Sequence, residues 1–138
     1  MQCSECRSET VTFAVPAAAV EYAPGGAAAA AICTSCLSLQ PAEGDTPPTD
    51  LTQVSDAFPA DEEAAAEIAL VVGLMKSLAL NRPKIEELLT SIEARGVDPM
   101  LALEELEADS SLSPVVAIGR RRSQLEQLLD WGVESEEE

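Results

Sequence analysis

Two short cysteine pairs constrain this chain more than anything else in it. Cys3-Ser4-Glu5-Cys6 and Cys33-Thr34-Ser35-Cys36 hold all four of its cysteines. A CxxC turn sets two sulfurs close together on a tight knuckle, and two knuckles face to face supply four thiolates in the tetrahedral arrangement that zinc prefers. The pattern therefore predicts one Zn2+ held by Cys3, Cys6, Cys33 and Cys36. Four protein ligands leave no position open for water or substrate, so the expected role is structural, with metal binding supplying much of the folding energy between the pairs. The spacer of 26 residues, Arg7 to Ile32, has room for a β-hairpin. Iron uses the same thiolates, and sequence does not separate it from zinc.

Two other uses of paired cysteines fit less well. Disulfides belong to exported chains, and no charged and apolar leader precedes the first knuckle, so a cytoplasmic location is expected. A redox dithiol sits at the start of a helix in a βαβ setting, whereas here the first pair precedes a strand-like run and the second a Pro-rich stretch. Thiol redox chemistry is kept as a second alternative. The knuckles also depart from the common ribbon form, in which glycine follows the second cysteine. Arg7 and Leu37 take those positions, and a Cβ tolerates the left-handed backbone less well.

Between the pairs, Val11, Phe13 and Val15 alternate with Thr10, Thr12 and Ala14, as in a half-buried strand that Pro16 ends. Pro16 to Tyr22 suggests a turn or two of helix, and Pro24-Gly25-Gly26 a tight turn. Ala27 to Ile32 must approach Cys33 extended, although its alanines favour helix in isolation.

The fold class expected is α+β: a zinc ribbon over residues 1–39, a Pro-rich linker over 40–60, a four-helix domain over 61–131 and a disordered acidic tail over 132–138. Leu51, Val54 and Phe58 recur within the linker at spacing that would let its second half dock on the helices. Asp61 opens the first helix with Glu62 and Glu63, and Ile68, Val71, Val72, Met75 and Leu78 mark its buried face. Eight uncharged residues between Glu67 and Lys76 are far fewer than the roughly 20 a bilayer span needs, so no membrane segment is expected. Asn81-Arg82-Pro83 reads as the break into a second helix, with Ile85, Leu88, Leu89 and Ile92 inward, Arg95 in its last turn and Gly96 after its end. Asp98-Pro99 and Ser113-Pro114 read as two further helix starts. The third helix turns Leu103 and Leu106 inward. The fourth places Val115, Ile118, Leu125, Leu128 and Leu129 inside and frays near Trp131-Gly132. So modest a core, with only Phe13, Tyr22, Phe58 and Trp131 as aromatics, leaves room for a homodimer in which two chains complete it.

Acidic residues outnumber basic ones by 25 to 8, and only Lys76 and Lys84 are lysines. The excess is spread along the chain, as on proteins that work in molar salt, where a Debye length of about 3 Å screens carboxylate repulsion. Together with the two CxxC pairs, the stretches Val54-Ser55-Asp56-Ala57-Phe58-Pro59, Ser77-Leu78-Ala79-Leu80-Asn81-Arg82 and Gly96-Val97-Asp98-Pro99 make the chain resemble a family of small haloarchaeal proteins of unknown function. The resemblance covers nearly all of residues 1–130. It implies an archaeal, salt-rich cytoplasm and no particular reaction.

The sequence argues against an enzyme. It has no histidine, hence no His base or His-activated nucleophile, and no glycine-rich phosphate loop precedes a helix and lysine. Glu86 and Glu87, or Glu104, Glu105 and Glu107, could hold a divalent metal in principle, but charge on the outer face of a helix reads as solvated surface. The main rival to a protein-interaction role is nucleic-acid binding, for which Arg7 and Arg120-Arg121-Arg122 are the candidates. Consecutive helical residues fan over about 200°, so the three arginines cannot form one stripe, and Glu126 stands one turn from Arg122. No aromatic pair offers a stacking platform. The expected function is a non-catalytic adaptor or subunit with an unidentified protein partner.

Overall fold

The computed structural model describes residues 2–42, 50–114 and 116–137, with side chains as far as residue 127. Strand β1 (Thr10–Ala14) pairs antiparallel with β2 (Ala29–Cys33), which pairs antiparallel with β3 (Leu39–Ala42), in the order β1-β2-β3. Thr10 lies opposite Cys33 and Ala14 opposite Ala29, while Ile32 faces Leu39 across the second ladder. The expected hairpin is present, and β3 extends it into the segment read as linker. Every residue of the central strand is buried. A continuous apolar run suits a strand covered on both faces, and tertiary burial here outweighs the helical preference of its alanines. Between β1 and β2 a 3-10 turn over Ala17–Tyr22 and the left-handed glycines Gly25 and Gly26 fill the long spacer.

Four helices follow: α1 (Glu62–Leu74), α2 (Leu78–Ala94), α3 (Pro99–Ala108) and α4 (Ile118–Glu137). Their caps are mostly those the sequence advertises. The Asp61 carboxylate accepts from Ala64 N at 3.2 Å, and Asp98 Oδ1 accepts from Met100 N and Leu101 N. Gly96, at φ 84°, donates to Glu93 O while Val97 donates to Ile92 O, a Schellman ending for α2.

Two boundaries differ from the sequence reading. The break between α1 and α2 falls at Met75–Ser77, a 3-10 turn, and Pro83 lies inside α2 rather than opening it. Asn81 is recruited to the break instead: its Nδ2 donates to Leu74 O at 3.1 Å, satisfying a carbonyl at the end of α1. Ser113-Pro114 does not start α4, which begins at Ile118. Ser113 N donates to Ser35 O at 2.8 Å, so the residue read as a cap ties the α3–α4 connection to the second knuckle. At its other end α4 passes Trp131-Gly132. The inward positions Val115, Leu128 and Leu129, and the side chains of 132–138, lie outside the described set.

One apolar cluster includes Phe13, Ile32 and Leu37 from the sheet region, Leu51, Val54 and Phe58, and Ile68, Ile85, Leu103 and Leu125 from the helices. The second half of the Pro-rich stretch is therefore docked. Asp50 caps its short 3-10 turn through Thr52, and Ser55 Oγ donates to Asp109 Oδ2 at 2.6 Å, fastening it to the end of α3. Pro47 and Pro48 lie outside the described residues. Strand β3 can lie close to α1 because α1 carries Gly73 there: a Cβ at that position would meet Leu39 Cδ1 at 2.8 Å.

Candidate metal centre

The two knuckles repeat one local plan. Both read CxxCxS, Cys3-Ser4-Glu5-Cys6-Arg7-Ser8 and Cys33-Thr34-Ser35-Cys36-Leu37-Ser38. In each, the first cysteine's N–H donates to the carbonyl of the serine, Cys3 N to Ser8 O at 2.8 Å and Cys33 N to Ser38 O at 3.0 Å. To close that turn the residue after the second cysteine must go left-handed. Arg7 at φ 64° and Leu37 at φ 60° do so, the two non-glycine residues among those described with positive φ. The conformation costs about 1–2 kcal/mol at each. Leu37 is fully buried in the main apolar cluster, which offsets its cost; Arg7 is exposed and has no such return.

Folded this way, the turn aims backbone N–H groups at sulfur. Glu5 N lies 3.3 Å from Cys3 Sγ, and Ser35 N and Cys36 N each 3.3 Å from Cys33 Sγ. Ser8 and Ser38 donate to Cys6 and Cys36 in the same way. These serines escaped the sequence reading, although their recurrence two residues after each pair was the available signal.

The β1–β2 ladder then brings the knuckles together. Thr34 N and Oγ1 both donate to Glu9 O, at 3.0 and 2.9 Å, and Ser4 N donates to Gln40 Oε1 at 3.2 Å from β3. The result places all four sulfurs within 4.8 Å of one another, with Cys3 Sγ 3.6 Å from Cys36 Sγ and Cys6 Sγ 3.3 Å from Cys33 Sγ. A tetrahedron with metal–sulfur bonds near 2.3 Å has sulfur–sulfur edges of about 3.8 Å, so the cage matches one ion of that size. The cysteines are free rather than disulfide-bonded. Cys3, Cys33 and Cys36 are buried, and Cys6 is at the surface.

The thiols differ in acidity. The N–H groups of Cys6 and Glu5 hold Cys3 below the ordinary thiol value, and Ser8, through its side chain and then its backbone, brings Cys6 to about 6. Burial pushes Cys33 up and Cys36 up to about 12. The first knuckle is ready to bind a cation; the second gives up its protons only when a cation replaces them. Cys3, Cys6, Cys33 and Cys36 together can hold one metal ion.

The other candidate residues are dispersed. Arg122 is engaged by Glu126 Oε1 at 2.8 Å and Glu107 Oε2 at 3.2 Å, and Arg121 donates to Gln124 Oε1. Arg7 stands on the opposite part of the chain, in the first knuckle. Among the described residues no helix is long and apolar enough to cross a membrane.

No curated protein and no solved structure matches this chain. A family model described as a family of unknown function, DUF6276, matches residues 2–129, knuckles and helices alike, and the chain belongs to that family.

Proposed function

We propose that the protein is a non-catalytic zinc-binding adaptor or subunit from the cytoplasm of a halophilic archaeon, with one structural Zn2+ on Cys3, Cys6, Cys33 and Cys36 and a protein as its partner. The observation that carries the structural role is the completeness of the cage. Four sulfurs from the chain itself converge, and three of them are buried. The second knuckle is bonded to the α3–α4 connection through Ser35 and Ser113, so an ion there would brace sheet and helices at once. The bound ion would supply charge to hold four thiolates together and no open coordination position. The acidic surface with two lysines supports the halophilic assignment. The nucleic-acid alternative draws little support, since Arg122 is already neutralised by two glutamates.

Elemental analysis of protein purified in molar potassium chloride tests the reading, together with cobalt substitution. One zinc per chain and a tetrahedral all-thiolate cobalt spectrum, insensitive to small anions and substrates, are expected. A cobalt spectrum that changes with added anions would mean an open position and would replace the structural role with a catalytic one. Metal-free protein with reversible thiol oxidation would favour the redox alternative.

A further inference from the structure

The chain has only two lysines, and both line the same cleft. The cleft has a volume of about 270 Å3 and lies between the 3-10 turns that follow β1, strand β3 and the α1–α2 junction. Tyr22, Leu39 and Leu74 form apolar wall, Lys76 and Lys84 bring the ammonium groups, and Glu21 supplies a carboxylate. The protein carries a net charge of −17, so a lysine without an acidic partner stands out. Lys84 has no hydrogen-bond or ion-pair partner among the described residues and is exposed. Among the described residues Lys76 has only Glu5 of the first knuckle, at 3.8 Å, with both side chains more than two-fifths exposed. A contact so long and so solvated contributes little, and leaves Lys76 able to turn to another anion.

We propose that this cleft binds a small amphiphilic carboxylate, its head between Lys76 and Lys84 and its apolar body against Tyr22, Leu39 and Leu74. Three features of the site set that chemistry. The lining has Lys76 and Lys84 against Glu21, an excess of one positive charge that becomes zero with Glu5 beside Lys76 counted, so the site has charge for a monoanion at most and disfavours a dianion such as a phosphate monoester. An apolar wall beside a few charged groups is the usual make-up of a small-molecule site, the polar groups orienting the ligand and the wall supplying affinity. The volume, just below the roughly 300 Å3 at which drug-sized sites begin, suits a ligand of only about a dozen heavy atoms. Gly73 also lines the cleft: it carries no side chain into the space where Leu39 already approaches α1. The site is independent of the metal's identity and of any protein partner.

The test is a titration of the full-length, metal-loaded protein with butanoate, hexanoate and octanoate in molar potassium chloride, followed by the amide resonances of Gly73 and Tyr22. Affinity is expected to rise about fourfold per methylene until the cleft is filled. Lys84→Met, at an exposed position with no described partner, is expected to weaken octanoate about tenfold, and Lys76→Met similarly. Arg120→Met, remote from the cleft, should change nothing. Octyl phosphate should bind more weakly than octanoate, and octylamine more weakly still. The proposal is overturned if octanoate leaves the cleft resonances unmoved, if Lys84→Met and Lys76→Met both bind it as the parent does, or if octylamine binds equally well. The amide spectrum of each variant shows whether it is folded, so a lost response is assigned to the site and not to unfolding.

Discussion

Glu67 Oε1 accepts a hydrogen bond from Arg95 Nε at 2.5 Å, and Glu67 is the one buried acid among the described residues. Arg95 reaches from the end of α2 to the middle of α1, and its Nη2 meets Glu63 at 3.1 Å on the way. Removing the arginine would strand a carboxylate with little access to water. Arg95→Ala should cost about 3 kcal/mol of unfolding free energy. The double variant Arg95→Ala with Glu67→Leu should recover most of that. Chemical denaturation of the four members of the cycle measures it; a loss under about 0.5 kcal/mol, typical of a surface pair, would mean the bridge is solvated.

The metal cage should fail as a unit. Cys36→Ser removes a buried thiol of the proposed zinc site, and on that reading the variant should bind no metal and lose much of its cooperative melting, as should the parent treated with a strong chelator. Because the second-knuckle thiols hold their protons, metal uptake at neutral pH should release protons, and affinity should fall as pH falls. Competition titrations across pH and proton release in weak buffer report both.

The two left-handed residues should respond oppositely to glycine. Arg7→Gly relieves the Cβ at an exposed position and should stabilise by about 0.5 kcal/mol after the entropy of glycine is counted. Leu37→Gly relieves the same strain but surrenders a buried side chain worth about 2 kcal/mol, and should destabilise. Thermal melts of the two variants with metal bound separate strain from burial.

Asp109 links stability to acid. Hydrogen bonds from Ser111, then Ser55, hold its carboxyl below the ordinary 3.8. A depressed folded value means the contribution is complete above the unfolded value and is lost as pH falls through the folded one. Asp109→Asn should therefore lose stability at neutral pH and show a shallower fall on acidification. Ser55→Ala should raise the Asp109 midpoint, measurable by carboxyl NMR titration.

Stability should also rise with potassium chloride into the molar range, because a net charge of −17 repels itself until the Debye length contracts to about 3 Å. Melting temperatures against salt check this, and a flat profile would remove the halophilic assignment.

What could be read in advance was what local spacing governs. The alternation of Val11, Phe13 and Val15, the Asp98-Pro99 start and the Gly96 ending are each settled within a turn of chain, and each appears as expected. The errors fell where a remote group competes for a local signal. Pro83 looked like a helix start, but α2 begins at Leu78 and Asn81 turns back to Leu74. Ser113 looked like a cap, but its N–H is taken by Ser35. Ser35 is invisible to a local reading because it lies far away in the chain, and the Asn81–Leu74 bond, only seven residues apart, exists only because the chain bends at the 3-10 turn between the two helices.

The sequence by itself pointed to the four cysteines that cluster and to the α+β class, since knuckle spacing and hydrophobic period are properties of a few consecutive residues. Only the tertiary structure decided that Glu67 is buried against Arg95, that Ser35 meets Ser113, and that the two lysines share a cleft beside β3. Those relationships depend on how the helices lie against the sheet, and that arrangement is set by the sum of many small packing contacts across the chain rather than by any one stretch of it.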